Sequence, residues 1–98
     1  MRPIPLLLAI AFLSGCAAID SARSLAAAEV ALEGARAAGA EKQATYEYVS
    51  ADANFQKARE ENARARYRDA IDHSATAVKL ADEARAKALA SGRRQEGK

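Results

Sequence analysis

From residue 18 onward the apolar positions recur at intervals of three and four residues, the period of an amphipathic helix, and no stretch alternates with the period of a strand. A first helix is predicted from about Ala18 to Ala38. Leu25, Ala28, Leu32 and Ala35 mark its inner face, and Ile19, Ala22, Ala26 and Val30 widen it. Gly39 is a natural stop, because glycine adopts the left-handed conformation that ends helices. A second helix is predicted from Thr45, as N-cap, to about Asn62, with Glu47 favourably placed in its first turn. Its stripe is Tyr48, Ala51, Phe55 and Ala58. A third runs from about Arg66 to Ala90, on Tyr67, Ala70 or Ile71, Ser74, Ala77 or Val78, Ala81 and Ala84. Gly92 then breaks the pattern, and Ser91–Lys98 reads as a polar, basic and disordered tail.

The connection between the second and third helices is the least marked, since Glu60–Arg66 contains neither glycine nor proline. One helix from Thr45 to Ala90, roughly 70 Å long at 1.5 Å per residue, is the alternative. The hairpin is favoured. Asn62 tolerates the left-handed conformation better than most residues. A lone helix would also leave Tyr48, Phe55, Tyr67 and Ile71 with nothing to bury them.

Composition fits this pattern. The chain has 98 residues, of which 50% are apolar, and only 5% are aromatic. Alanine dominates the part beyond residue 16, followed by good helix formers. Proline does not recur after Pro5, and the glycines beyond Gly15 fall at 34, 39, 92 and 97. The expected class is all-α, a three-helix bundle or a helical hairpin plus an N-terminal helix. A formal charge of +2, with signs mixed along the chain, gives no case for nucleic-acid binding.

The first sixteen residues obey a different rule. Arg2 precedes an apolar run from Ile4 to Phe12, too short to span a bilayer, which needs about 20 residues. Pro3 and Pro5 argue against a regular helix at its start. A charged start, a short apolar stretch and small residues before a cut site make an export signal. Leu13-Ser14-Gly15 leads directly into Cys16, the only cysteine, and this resembles the bacterial lipoprotein box. The resemblance implies a diacylglycerol on the Cys16 thiol, cleavage before Cys16, and a further acyl chain such as palmitate on the freed amine. Each buried methylene contributes about 0.8 kcal/mol, so two or three chains anchor essentially permanently. The expected organisation is a removed signal at 1–15, a lipid-anchored N-terminus at 16–20, a helical domain at 21–90 and the tail at 91–98. With no second cysteine, no disulfide staples a chain whose core is small for its length.

Small residues on every inner face, with aromatics between them, are the pattern of tetratricopeptide-type hairpins. The match covers little over one repeat, whereas solenoids need about three. Five segments carry a closer resemblance: Leu25-Ala26-Ala27-Ala28-Glu29, Ala38-Gly39-Ala40-Glu41-Lys42, Tyr46-Glu47-Tyr48, Lys57-Ala58-Arg59-Glu60-Glu61 and Tyr67-Arg68-Asp69-Ala70-Ile71. With the run Ala77, Ala81, Ala84 and Ala88, the chain resembles small bacterial outer-membrane lipoproteins that carry a tetratricopeptide-like helical domain of unknown function. It departs from them at Thr45, where proline is common, and at Ala63, where glycine is common. The resemblance implies no activity. It implies work in the cell envelope, beside outer-membrane proteins with peptidoglycan-binding domains. Ala17 after Cys16, in place of aspartate, implies sorting to the outer membrane by resemblance to enteric lipoproteins; the outer face of the inner membrane is the alternative.

Candidate chemistry is sparse. His73 is the sole histidine, beside Asp69 and Asp72, and reads as an exposed polar position, since a metal site needs three or four convergent ligands. Glu60-Glu61 and Asp82-Glu83 read as solvated acids salt-bridged to residues such as Arg64 and Lys79. Ser24, Ser50 and Ser74 have no base at a meaningful spacing, and there is no glycine-rich phosphate loop. No enzyme, metal or cofactor, apart from the covalent lipid, is expected, and no small-molecule substrate. Arg64, Arg66 and Arg68 form a basic cluster that reads first as a solvated helix start, and otherwise as a contact for anionic headgroups or an acidic partner.

Two functional expectations follow. One is a lipid-anchored interaction or scaffolding module that presents Tyr46, Tyr48, Phe55 and Tyr67 to an envelope protein on the periplasmic side. The other is a structural tether from the outer membrane to peptidoglycan through Lys98, since the alanine-rich murein lipoprotein of enteric bacteria, which this chain resembles in length and lipid-modified start, ends in a wall-linked lysine.

Overall fold

A computed structural model describes the backbone of residues 4–97, with side chains described for 15–95 and 97. It contains four helices: α1 (Ile4–Ala37), α2 (Ala40–Gln43), α3 (Thr45–Ala63) and α4 (Tyr67–Glu96). α1, α3 and α4 run up, down and up along a rod of 78 × 17 × 14 Å. α4 is the central element. It packs against α1 and α3 almost equally, whereas α1 and α3 meet far less. The hairpin is therefore present, and the single long helix is not.

The core is built of alanine. Ala28 and Ala35 on α1, Ala51 and Ala58 on α3, and Ala70, Ala77, Ala81, Ala84 and Ala88 on α4 are all buried. On α4 these positions, with Ser74, step by four and three residues, a seven-residue repeat that keeps one seam facing its neighbours. With nothing beyond Cβ at the crossings, the helix axes can approach more closely than the usual 8–10 Å. Among the described residues, Leu32 is the one large aliphatic side chain in the buried core. Tyr48, Phe55 and Leu80 are partly buried against it and fill the rims. The three predicted inner faces are thus correct. The expected widening of the first is not: Ile19, Ala22, Ala26 and Val30 are all exposed, because α1 rests on α4 through a narrow face and meets little of α3.

α1 ends as expected at Gly39, which takes φ 86° and donates its N–H to the Arg36 carbonyl at 2.9 Å. A single turn, α2, follows. Thr45 is not an N-cap. That place falls to Ala44, which makes no side-chain cap bond, and Thr45 opens α3 instead. Its hydroxyl points back and donates to the Glu41 carbonyl at 2.8 Å, satisfying an acceptor at the end of α2.

The α3–α4 turn lies within the expected segment, but its left-handed residue is Ala65, at φ 60°, rather than Asn62. The Ala65 N–H donates to the Asn62 carbonyl (3.1 Å) and the Arg66 N–H to the Glu61 carbonyl (2.8 Å). These are the paired bonds of a Schellman ending, which glycine usually supplies. Alanine in this conformation costs about 1–2 kcal/mol. Ala65→Gly relieves that cost but adds freedom to the unfolded chain. A net stabilisation of about 0.5 kcal/mol is expected, as a higher urea midpoint at unchanged m-value; a lower midpoint would show that the Cβ is not strained there.

Two further boundaries differ from expectation. α1 begins at Ile4 and contains Pro5, because a proline in the first turn lacks only an N–H that has no intrahelical partner. α4 continues through Gly92 to Glu96, so helix replaces the expected tail from Ser91. Glycine in a helix costs about 1 kcal/mol. The hydroxyl of Ser91 offsets this by donating to Gln43 Oε1 at 2.8 Å, and Arg93 and Arg94 suit the negative end of the helix dipole.

Candidate functional site

The side chains with functional potential sort onto the two ends of the rod. At the α3–α4 turn, Ser21 on α1 is buried and its hydroxyl donates to Asn62 Oδ1 at 2.7 Å. This bond sets residue 21 level with the end of α3. The earlier part of α1 runs past this level, with Ile4 about 25 Å further along the helix axis at 1.5 Å per residue. Cys16 lies on this part, exposed and unpaired. Gly15 beside it has open space where a Cβ would stand. Leu13 and Ser14 belong to α1, with side chains outside the described set.

At the same end sits a pair that the sequence pattern missed. Glu61 is only 9% exposed, and its Oε1 lies 2.6 Å from His73 Nδ1. The same nitrogen is 3.1 Å from the Asp69 carbonyl. Both partners are acceptors, so Nδ1 is assigned a proton. His73 is therefore a half-buried link between α3 and α4 rather than an exposed polar position, and Glu61 is not a solvated acid. Glu60 behaves as expected, pairing with Arg64 at 3.1 Å. Asp82 and Glu83 are exposed. The only sequence signal for the Glu61–His73 pair was their position on either side of a turn, which gains meaning once the hairpin exists.

The serines divide similarly. Ser50 offers its backbone carbonyl to Asn54 Nδ2. Ser24 and Ser74 line an open, mostly apolar groove of about 260 Å³ between α1 and α4, with Ile71 and Val78. Ser74 is buried and its hydroxyl has no partner. The described hydrogen bonds of His73 go to Glu61 and Asp69, so none pairs it with a serine nucleophile. Among the described residues, no cluster of three His, Cys, Asp or Glu side chains could hold a metal ion.

The far end of the rod is tied by polar contacts. Lys87 Nζ donates to Glu47 Oε1 at 3.0 Å, and this bond holds the Glu47 carboxyl below the usual carboxylate range. Gln43, Lys87, Ser91, Arg94 and Gln95 line an open depression of about 330 Å³.

Of the four aromatic residues expected to meet a partner, only Tyr46 stands free, at 78% exposure. Tyr48 and Phe55 are packed against the alanine core, and burial pushes the Tyr48 hydroxyl above its ordinary value. Arg59 stacks over the Phe55 ring at 5.9 Å. Tyr67 is half-buried at the start of α4. A partner would thus find Tyr46 with Val49, also exposed, on the outer face of α3. Lys98 lies outside the described residues.

Among the described residues, no helix is long and apolar enough to cross a membrane. Comparison with protein-family models, with curated proteins and with solved structures finds no match to this chain.

Proposed function

We propose that this chain is a lipid-anchored cell-envelope protein, held by an acylated Cys16 and acting as a small helical scaffold or docking surface rather than as an enzyme. The observation that carries the reading is the position of Cys16. It follows Leu13-Ser14-Gly15 and lies exposed on α1 beyond the point where α3 and α4 turn. An acyl group there would meet no part of the packed alanine core. Tyr46 and Val49, on the outer face of α3, are the contacts such a scaffold would offer a protein partner.

Expression of the full chain in a bacterium with lipoprotein processing tests the anchor. The wild-type protein is expected in the membrane fraction, with the mass of the chain from Cys16 plus acyl chains. Cys16→Ser should keep its signal, lose the acyl mass and cease to be processed. A wild-type mass without acyl groups would end this reading.

The tether reading has one observation in its favour: α1 and α4 are parallel, so Cys16 and the C-terminal end of α4 lie at opposite ends of the rod. It requires a muropeptide on Lys98 in digested peptidoglycan, and Lys98→Ala must abolish it.

A further inference from the structure

We propose that the α3–α4 turn is a membrane-contacting tip whose Arg64, Arg66 and Arg68 take anionic lipid headgroups, so that the rod stands on the bilayer on this end; the orientation rests on the lipid anchor at Cys16, whereas the headgroup contact does not.

The argument starts from levels along the rod. The Ser21–Asn62 bond brings residue 21 of α1 beside the end of α3. Cys16 lies five residues further out, about 7.5 Å along the helix axis. Acyl chains on Cys16 would therefore bring this turn to headgroup depth. The opposite end of α4 would stand about 45 Å away, the length of that helix.

The turn presents the matching chemistry. Arg64, Arg66 and Arg68 are all exposed. Arg64 is shared with Glu60, while Arg66 and Arg68 take part in none of the described ion pairs. Of the nearby acids, Glu60 pairs with Arg64 and Glu61 with His73, while Asp69, in the first turn of α4, and Asp72, one turn further on, are exposed. Asp20 is the one exposed acid on α1 between Cys16 and the turn.

Local stability accounts for Arg64, the C-cap of α3 paired with Glu60, but not for Arg66 and Arg68. Arg66 is the N-cap of α4 and makes no side-chain cap bond, where serine, threonine, asparagine or aspartate would. Arg66 and Arg68 also stand at the positive end of the α4 dipole, where cations are unfavourable. The Schellman bonds at Ala65 hold the backbone between Arg64 and Arg66 in a fixed shape. A cationic tip that weakens its own helix start, located where a lipid anchor would reach the bilayer, fits an anionic surface.

The test uses the full chain carrying Cys16→Ser, so that no acyl group contributes. Its partitioning is measured by sedimentation with vesicles of phosphatidylcholine, with and without phosphatidylglycerol. A basic residue at an anionic surface strengthens binding about fivefold. Arg66→Gln with Arg68→Gln should weaken binding to the anionic vesicles about 25-fold. High salt should cause a similar loss, and affinity for neutral vesicles should not move. Arg93→Gln with Arg94→Gln, at the far end, should have little effect. Circular dichroism keeps loss of fold apart from loss of contact. An equal loss from the far-end pair, or none from the tip pair, overturns the proposal. Failure of the anchor would be seen separately, as wild-type protein without acyl mass.

Discussion

Ala81→Leu is expected to destabilise the bundle by about 3 kcal/mol, the upper end of the usual cost of overpacking. Ala81 is fully buried on α4, in the cluster that joins Leu32 and Ala35 of α1 to Ala51 of α3. The central helix is hemmed in on both sides, so a longer side chain must push one neighbour away. Separating α4 from α1 or α3 would break contacts along the seam rather than at one point. Neither of the two grooves described borders Ala81. Urea unfolding followed by circular dichroism measures the effect. Ala86→Leu, on the exposed side of the same helix, should stay within about 0.5 kcal/mol. Equal behaviour of the two variants would mean that the helices are not in close contact at Ala81.

The opposite change should be nearly as damaging. Leu32→Ala is expected to cost about 3 kcal/mol, within the 2–5 kcal/mol found for leucine truncations in cores. Leu32 is 7% exposed and sits among Ala35, Ala81 and Ala84. Alanines cannot swing into a vacated volume, so only Tyr48, Phe55 and Leu80 could partly fill it. The cavity should persist, and the cavity makes up much of the cost. Leu80→Ala, at a half-buried position, should cost about 1 kcal/mol. If Leu32→Ala cost no more than that, Leu32 would be a rim residue rather than the centre of the core.

Much of this architecture was legible in the sequence because alanine spacing along a helix carries little ambiguity. Ala77, Ala81, Ala84 and Ala88 could face only one way on a continuous helix, and they are all buried. Gly39 marked the first turn because it is the residue that the left-handed conformation favours. The second turn was blurred because Ala65 takes that conformation without glycine's usual signal. Val30 and Ile19 were assigned inward by their chemistry alone; their exposure depends on how little of α1 touches α3, which local pattern does not encode. The candidate site was less legible. Cys16 stood out by its sequence context, and the structure shows only that it is exposed. The Glu61–His73 pair needed the folded hairpin, since residues twelve apart meet only across a turn. Tyr48 and Phe55 were read both as the inner stripe of α3 and as partner contacts; they pack against the core, because an alanine seam leaves the rims to the few large side chains available.

An odd number of long helices has a mechanical consequence. In an even-numbered bundle the chain returns to its starting level. Here α4 ends at the other pole, so the three long helices form an arm of definite length. Its length is set by how many seven-residue units each helix contains. Because the alanine seam repeats on that unit, inserting one unit into each of α1, α3 and α4 would preserve the packing register and extend the arm by about 10 Å. The separation of the two poles could then change in fixed increments while the surface at either pole stayed the same.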